Sequence, residues 1–318
     1  MAKPTVLMLT PMLPAIVEKL NARFETHWLP GAADPEAVIA DAAERVRAIG
    51  MFPTGKVDAA LMRRLPNLEI VAVAGAGYEW VDMSEAKARS VMVTNAPDAL
   101  TAEVADVAMA LIVMTVRKLA AADAYLRAGR WEAEGPMKLS PGSLVGATLG
   151  ILGLGRIGHA VAKRAEAFGL KIAYHGRRRQ DGVAYAYHDS PEALAEACDI
   201  LLVATPGGAD THHMIDARIL EKLGRSGYLV NIGRGTAVDE AALVAALEAG
   251  TIAGAGLDVY EDEPRVHPGL VGLENAVLLP HLASGSVPTR TAMGQAMLDN
   301  LEAWFETGKP VSPVSEMG

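Results

Sequence analysis

The chain has a single cysteine, Cys198, in 318 residues. One thiol excludes an internal disulfide framework and suits a reducing compartment, so a cytoplasmic setting is expected. Cys198 lies in the apolar stretch AEACDILLVA, where a buried structural thiol is expected rather than a nucleophile. Basic blocks are also missing. Net charge is −9, which argues against nucleic acid as a partner. No apolar run reaches membrane-spanning length, and the opening MAKPTVLMLTP is too short in its apolar part for a signal peptide. There is no GxSxG elbow, so a hydrolase triad has no support. No His, Cys and carboxylate set has zinc-ligand spacing, so no metal is expected. His188, His212 and His213 have no chemical setting in sequence and read as surface residues. Short repeats and low-complexity segments are absent too.

What remains is a chain that is 51% apolar and long enough for two domains. Residues 1–98 alternate short apolar strands with amphipathic helices: strands near 6–9, 27–29, 48–51, 69–74 and 91–95, with helices between them. Residues 147–281 alternate again, with strands near 148–152, 171–176, 200–206, 228–233, 253–260 and 276–281. Alternation of this kind implies parallel sheets covered by helices, and the fold class is α/β with two doubly wound parallel-sheet domains. Between the halves, residues 101–130 read as one helix of ~30 residues, ~45 Å long, with a wide apolar face. Such a helix either bridges domains or buries its extra face against a second subunit, and both together are favoured. Residues 131–146 read as an irregular arm, and 287–307 as a terminal helix.

The strongest local signal is TLGILGLGRIG at 148–158. A strand leads into Gly153, Gly155 and Gly158, and a helix follows. In this context the three glycines serve a tight turn, close approach of a pyrophosphate, and close helix–strand packing. The helix start, with Arg156 and Ile157, presents free N–H groups to phosphate. The next strand ends at His175-Gly176, where enzymes using NAD place a carboxylate for the ribose. Here Arg177, Arg178 and Arg179 follow instead. Arginine attracts a 2′-phosphate and grips it through two N–H groups, so NADP(H) is the expected cofactor, with Arg177 the first candidate and Arg178 the second. A solvated basic turn is the plainer alternative. Asp181 nearby would weaken the preference, and His175 lies on the same turn.

Three later strands each end near a reactive group: Arg234 after VNIG, Glu263 after GLDVY, and His281 after VLLP. Ligands of open α/β sheets bind beyond the carboxyl ends of strands. An arginine to hold a carboxylate, a histidine to exchange a proton and a carboxylate to orient it suit reversible reduction of a 2-oxo acid. Any one of the three alone would more often be structural.

Together these stretches resemble the NAD(P)-dependent D-2-hydroxyacid dehydrogenases over nearly the whole length. The motifs are GAGYEWVD (75–82), VTNAPDALTAEVAD (93–106), GILGLGRIG (150–158), VNIGRGTAVDE (230–240), GLDVYEDEP (256–264) and LLPHLASG (278–285). The chain looks most similar to the glyoxylate/hydroxypyruvate and hydroxyphenylpyruvate reductases. The resemblance implies that Arg234 binds and polarises the oxo acid, and that Glu263 pairs with His281, the proton donor. It implies that the N–H groups of Ala76 and Gly77 hold the substrate carboxylate, although the family often has valine where Ala76 stands. It places Asp258 on the nicotinamide carboxamide, with Thr205, Pro206 and Ile232 lining the cofactor. It implies a flavodoxin-like substrate domain (1–98 plus 288–318) into which a Rossmann cofactor domain (99–287) is inserted, and a homodimer formed by the long helix and arm. It leaves no room for the extra regulatory domain of some phosphoglycerate dehydrogenases. Two other readings stand beside it: a non-catalytic nucleotide sensor, as in corepressors of this fold, and a dehydrogenase of formate or phosphite type. Met51 and Phe52 are candidates for setting pocket size, and arm residues 131–137 for entering the partner subunit's site.

Overall fold

The computed structural model describes residues 3–317. It forms two compact units, one running to Leu100 and resuming at Gly285, the other spanning Thr101–Ser284. In the first unit, β1 (Thr5–Met8), β2 (Glu25–Trp28), β3 (Val46–Met51), β4 (Ile70–Val73) and β5 (Met92–Thr94) pair in the order β2-β1-β3-β4-β5. Every pairing is parallel. This 2-1-3-4-5 order is the flavodoxin-like arrangement. Strands β1 and β4 are buried along their whole length, which is why they read as continuous apolar runs. The terminal helix Val287–Thr307 packs on β4 and on helix Pro14–Arg23. Met51 is fully buried among Leu7, Ile49 and Val73. It belongs to this core, which corrects its reading as a pocket residue. Phe52 beside it is half-buried, with the Arg290 guanidinium 5.0 Å from its ring centre.

The second unit holds seven strands: β6 (Thr148–Leu152), β7 (Lys171–His175), β8 (Ala186–Tyr187), β9 (Ile200–Val203), β10 (Tyr228–Asn231), β11 (Gly254–Leu257) and β12 (Ala276–Leu278). Their order is β12-β11-β10-β9-β6-β7-β8, all parallel. Counted from β6, this is the Rossmann order 3-2-1-4-5-6 with one further strand. The order reverses between β6 and β9, and the crevice for a ligand opens there. The two-residue β8 has no sequence signal. Strands β7, β9, β10, β11 and β12 each stop one to three residues before the end expected from apolar runs. Those extra residues lie in loops at the carboxyl edge, where functional groups are needed.

The single long helix expected over 101–130 is three helices: Thr101–Arg117, Leu119–Arg127 and Arg130–Glu134. Lys118 breaks the first join in the left-handed region, with φ 54°. The Ser140 hydroxyl donates to the Val116 carbonyl and so satisfies an end that the helix has left open. Gly129 makes the second break, also left-handed at φ 70°. The first of these helices packs on helix Arg156–Ala167 and on β11. Cys198 is 8% exposed, and burial pushes its thiol up to about 12. It packs against the Gly150 backbone in β6, an inert structural position.

Candidate active site

Helix Arg156–Ala167 starts directly after Gly155 and has no side-chain cap. Its first N–H groups therefore point outward without an intrahelical partner. The glycines differ in what requires them. A Cβ on Gly158 would stand 2.6 Å from the Gly153 carbonyl, and one on Gly153 would meet the Ala204 carbonyl at 2.9 Å. These two are needed by the chain itself. A Cβ on Gly155 would meet nothing within 4 Å, so the open space over Gly155 is the space a phosphate needs.

Beyond β7, Arg177 and Arg178 are exposed, as is Arg179. Gln180 ties this turn to the glycine turn. Its side-chain amide donates to the Leu154 carbonyl at 2.7 Å, and its oxygen lies 3.0 Å from His159 Nε2. Sequence reasoning missed Gln180, which carries no motif of its own. His175 contacts the His188 carbonyl through Nδ1 at 2.8 Å. After β9, Thr205 Oγ1 is buried without a hydrogen-bond partner among the described residues. A buried orphan hydroxyl at the reversal point of the sheet fits a polar group of a bound dinucleotide. Pro206 beside it is exposed, whereas the Ile232 side chain is only 6% exposed. The outward helix N–H groups, the open Gly155, the orphan Thr205 and the arginine turn together fit a phosphorylated dinucleotide.

Arg234, Glu263 and His281 come together on adjacent strand ends in the same unit. His281 Nδ1 and Glu263 Oε2 are 2.7 Å apart. The other Glu263 oxygen accepts the Tyr260 N–H at 3.0 Å. Burial alone would raise the Glu263 carboxyl. The His281 contact, the Tyr260 N–H and the positive charges of His281 and Arg234 outweigh it and hold the group below its usual range. The ring thus has an ionised acceptor at Nδ1, which leaves Nε2 to face a ligand. The Arg234 turn is built by Asn231, whose amide donates to the Arg234 carbonyl at 3.0 Å while its oxygen accepts the Gly233 N–H at 3.0 Å. Arg234 itself donates to the Gly233 carbonyl at 2.8 Å.

Asp258 stands where the sequence suggests a cofactor contact, but its bonds are to the chain. It is 1% exposed, and its two oxygens accept the N–H groups of Leu282 at 2.8 Å and Ala283 at 3.0 Å. Its carbonyl accepts the His281 N–H at 2.8 Å. Three bonds from one residue thereby hold His281 at a left-handed φ of 51°. Burial raises the Asp258 carboxyl despite those N–H groups. In the other unit, Ala76 and Gly77 follow β4. Among the described residues their N–H groups donate to no backbone acceptor, while the Ala76 carbonyl accepts the Asn95 amide at 2.8 Å.

His213 differs from its expected place at the surface. It is half-buried, and its Nε2 lies 2.6 Å from Glu261 Oε1. His212 is exposed and His188 half-buried.

The profile of the D-isomer specific 2-hydroxyacid dehydrogenase NAD binding domain matches residues 109–283. The chain belongs to this family. It is 42% identical to glyoxylate/hydroxypyruvate reductase A HPR2 of Arabidopsis thaliana, over 97% of this chain and 98% of that one. It is 44% identical to a hydroxyphenylpyruvate reductase of Plectranthus scutellarioides, over 96% and 97%. Its fold superposes with a TM-score of 0.92 on an NADPH-dependent glyoxylate/hydroxypyruvate reductase of Sinorhizobium meliloti, solved with NADP and malonate. That relative is 47% identical and is matched over 99% of this chain and 98% of its own. Among the described residues no helix is long and apolar enough to cross a membrane.

Proposed function

We propose that this family member is an NADPH-dependent reductase of small 2-oxo acids, glyoxylate and hydroxypyruvate foremost, yielding D-2-hydroxy acids. The observation that carries it is the 2.7 Å His281–Glu263 pair on strand ends beside Arg234. The reduced cofactor, when bound, would supply the hydride for the carbonyl carbon. Arg234 holds the substrate carboxylate and draws charge onto the carbonyl oxygen. His281 holds a proton at Nε2 and passes it to the carbonyl oxygen as negative charge develops there. Glu263 accepts at Nδ1 and favours the charged ring that must carry this proton. Thr205, Pro206 and Ile232 would line the cofactor, and Asp258 would meet its carboxamide. The cytoplasm is the compartment of this reading, since a lone buried cysteine needs no oxidising one.

The deciding assay is NADPH oxidation with glyoxylate, hydroxypyruvate and hydroxyphenylpyruvate in parallel. The first two are expected to have the higher kcat/KM. A dominant rate with the aryl substrate favours the second reading, to which the Plectranthus relative points. Cofactor choice is tested separately. Charge-assisted hydrogen bonds contribute about 1.5–3 kcal/mol, so the double variant Arg177→Gln/Arg178→Gln is expected to lose roughly 10–100-fold in kcat/KM for NADPH and little for NADH. Equal losses with both cofactors would remove the arginine turn from the 2′-phosphate.

The homodimer belongs to the same proposal. Among the described residues, six of the eleven exposed large apolar side chains fall between residues 119 and 168: Leu119, Leu126, Trp131, Leu139, Val145 and Phe168. Leu119 and Phe168 also line an apolar groove with Met109, Val113 and Met114. A patch of this kind marks an association surface. Sedimentation is expected to give twice the chain mass for the native protein and one chain mass for Leu119→Glu/Phe168→Glu. A native monomer, or a dimer in the variant, would refute this face.

A further inference from the structure

A second histidine–carboxylate group lies in the cofactor unit, apart from the His281 pair. The loop after β9 carries His212 and His213, and the loop after β11 carries Glu261. His213 and Glu261 are 48 residues apart, so no spacing in the sequence announces the group. The fold brings one ligand atom from each of the three within 4.8 Å of the others. His213 sits at φ 49°, a conformation that residues with a side chain rarely adopt. Its N–H is held by the Thr236 carbonyl at 2.8 Å, and its Nε2 lies 2.6 Å from Glu261 Oε1. The His212 ring stacks on the His213 ring, with 4.0 Å between centres and 30° between planes. Glu261 is anchored in turn, because its N–H donates to the buried Glu240 carboxylate at 2.8 Å.

A structural ion pair would need only one of these histidines. The second places another imidazole within reach of the same carboxylate, which makes a donor set of two nitrogens and one oxygen. We propose that His212, His213 and Glu261 bind one divalent transition-metal ion of the zinc class. Two imidazoles and a carboxylate with an open position are a common zinc set, whereas calcium and magnesium prefer all-oxygen sites. The ion replaces the proton shared by His213 and Glu261. Ligand atoms on a tetrahedral zinc at about 2.0–2.1 Å lie roughly 3.3 Å apart, so the pair opens by less than an ångström. His212 is exposed, so its ring can leave the stack on His213 and turn into the third position, while water completes the shell. The bound ion ties the loop after β9 to the loop after β11. The latter also carries Glu263, two residues beyond Glu261.

The test is calorimetric titration of chelator-treated full-length protein with zinc chloride. One zinc ion per chain is expected, and excess magnesium should not compete. His212→Ala removes an exposed ring and should leave the fold intact by circular dichroism. It should weaken binding by about tenfold or more, as should Glu261→Gln. His281→Ala serves as the control for the other histidine–carboxylate pair and should bind as the native protein does. Zinc should also raise the thermal midpoint of the native protein and not that of Glu261→Gln. No saturable binding, unchanged affinity in both loop variants, or loss of binding in His281→Ala would overturn the proposal.

Discussion

Replacing His281 with alanine is expected to lower kcat for 2-oxo acid reduction by about 10²–10⁴-fold, the usual size of a general acid contribution. The fall should appear in kcat rather than KM. The ring gives its proton as the alkoxide forms, so the interaction it supplies exists mainly in the transition state. Cofactor affinity, read by NADPH fluorescence without substrate, should barely change, because the features that fit the cofactor's phosphates lie at the ends of β6 and β7. Glu263→Gln is the informative companion. The amide still accepts a hydrogen bond but carries no charge to balance a positive ring, so kcat should fall while cofactor affinity holds. Glu263 is held below its usual range, so its contribution to stability is complete above the unfolded value and is lost as pH falls through the folded one. An alanine variant with near-native kcat would refute His281 as the proton donor.

The parts of this site legible in sequence are those written in local pattern. Gly153, Gly155 and Gly158 sit between an apolar strand and a helix, and the parallel, helix-covered character of both sheets follows from β/α alternation, although their two different strand orders do not. Arg234, Glu263 and His281 were visible because each closely follows an apolar run. Features that depend on distant contacts were not. Lys118 breaks a helix with no glycine or proline to announce it, and Ser140, 24 residues beyond Val116, helps to complete that end. Met51 reads as a strand-end residue facing a cleft, yet three dimensions place it in the core. Asp258 looks like a ligand contact, and only the structure shows its oxygens bound to Leu282 and Ala283. His213 and Glu261 have meaning only as a pair, and the pair exists only after β9 and β11 enter one sheet.

The largest structural effect is expected at Gly235, which has no direct chemistry. A Cβ there would lie 1.8 Å from the Tyr260 carbonyl carbon and 2.5 Å from the Glu261 nitrogen. Both neighbours are backbone, so no side chain can swing aside. The turn that carries Arg234 thus rests directly on the chain that leads to Glu263, and Glu263 in turn receives the Tyr260 N–H. Gly235→Ala must push these two loops apart. Overpacking usually costs about 1–3 kcal/mol and more where the backbone cannot yield. A cost of about 3 kcal/mol corresponds to a fall in Tm of roughly 6–12 °C for a domain of this size. Activity should fall as well, even well below the new Tm, because Arg234 and the His281–Glu263 pair lose their register and small misplacements are costly in catalysis. Gly272→Ala is the control, since a Cβ there meets nothing within 4 Å and the helix end is right-handed. It should leave Tm and kcat near native values. A Gly235→Ala protein with unchanged Tm and turnover would show that the two loops are not in contact, and with it the joint placement of Arg234 and Glu263 would fail.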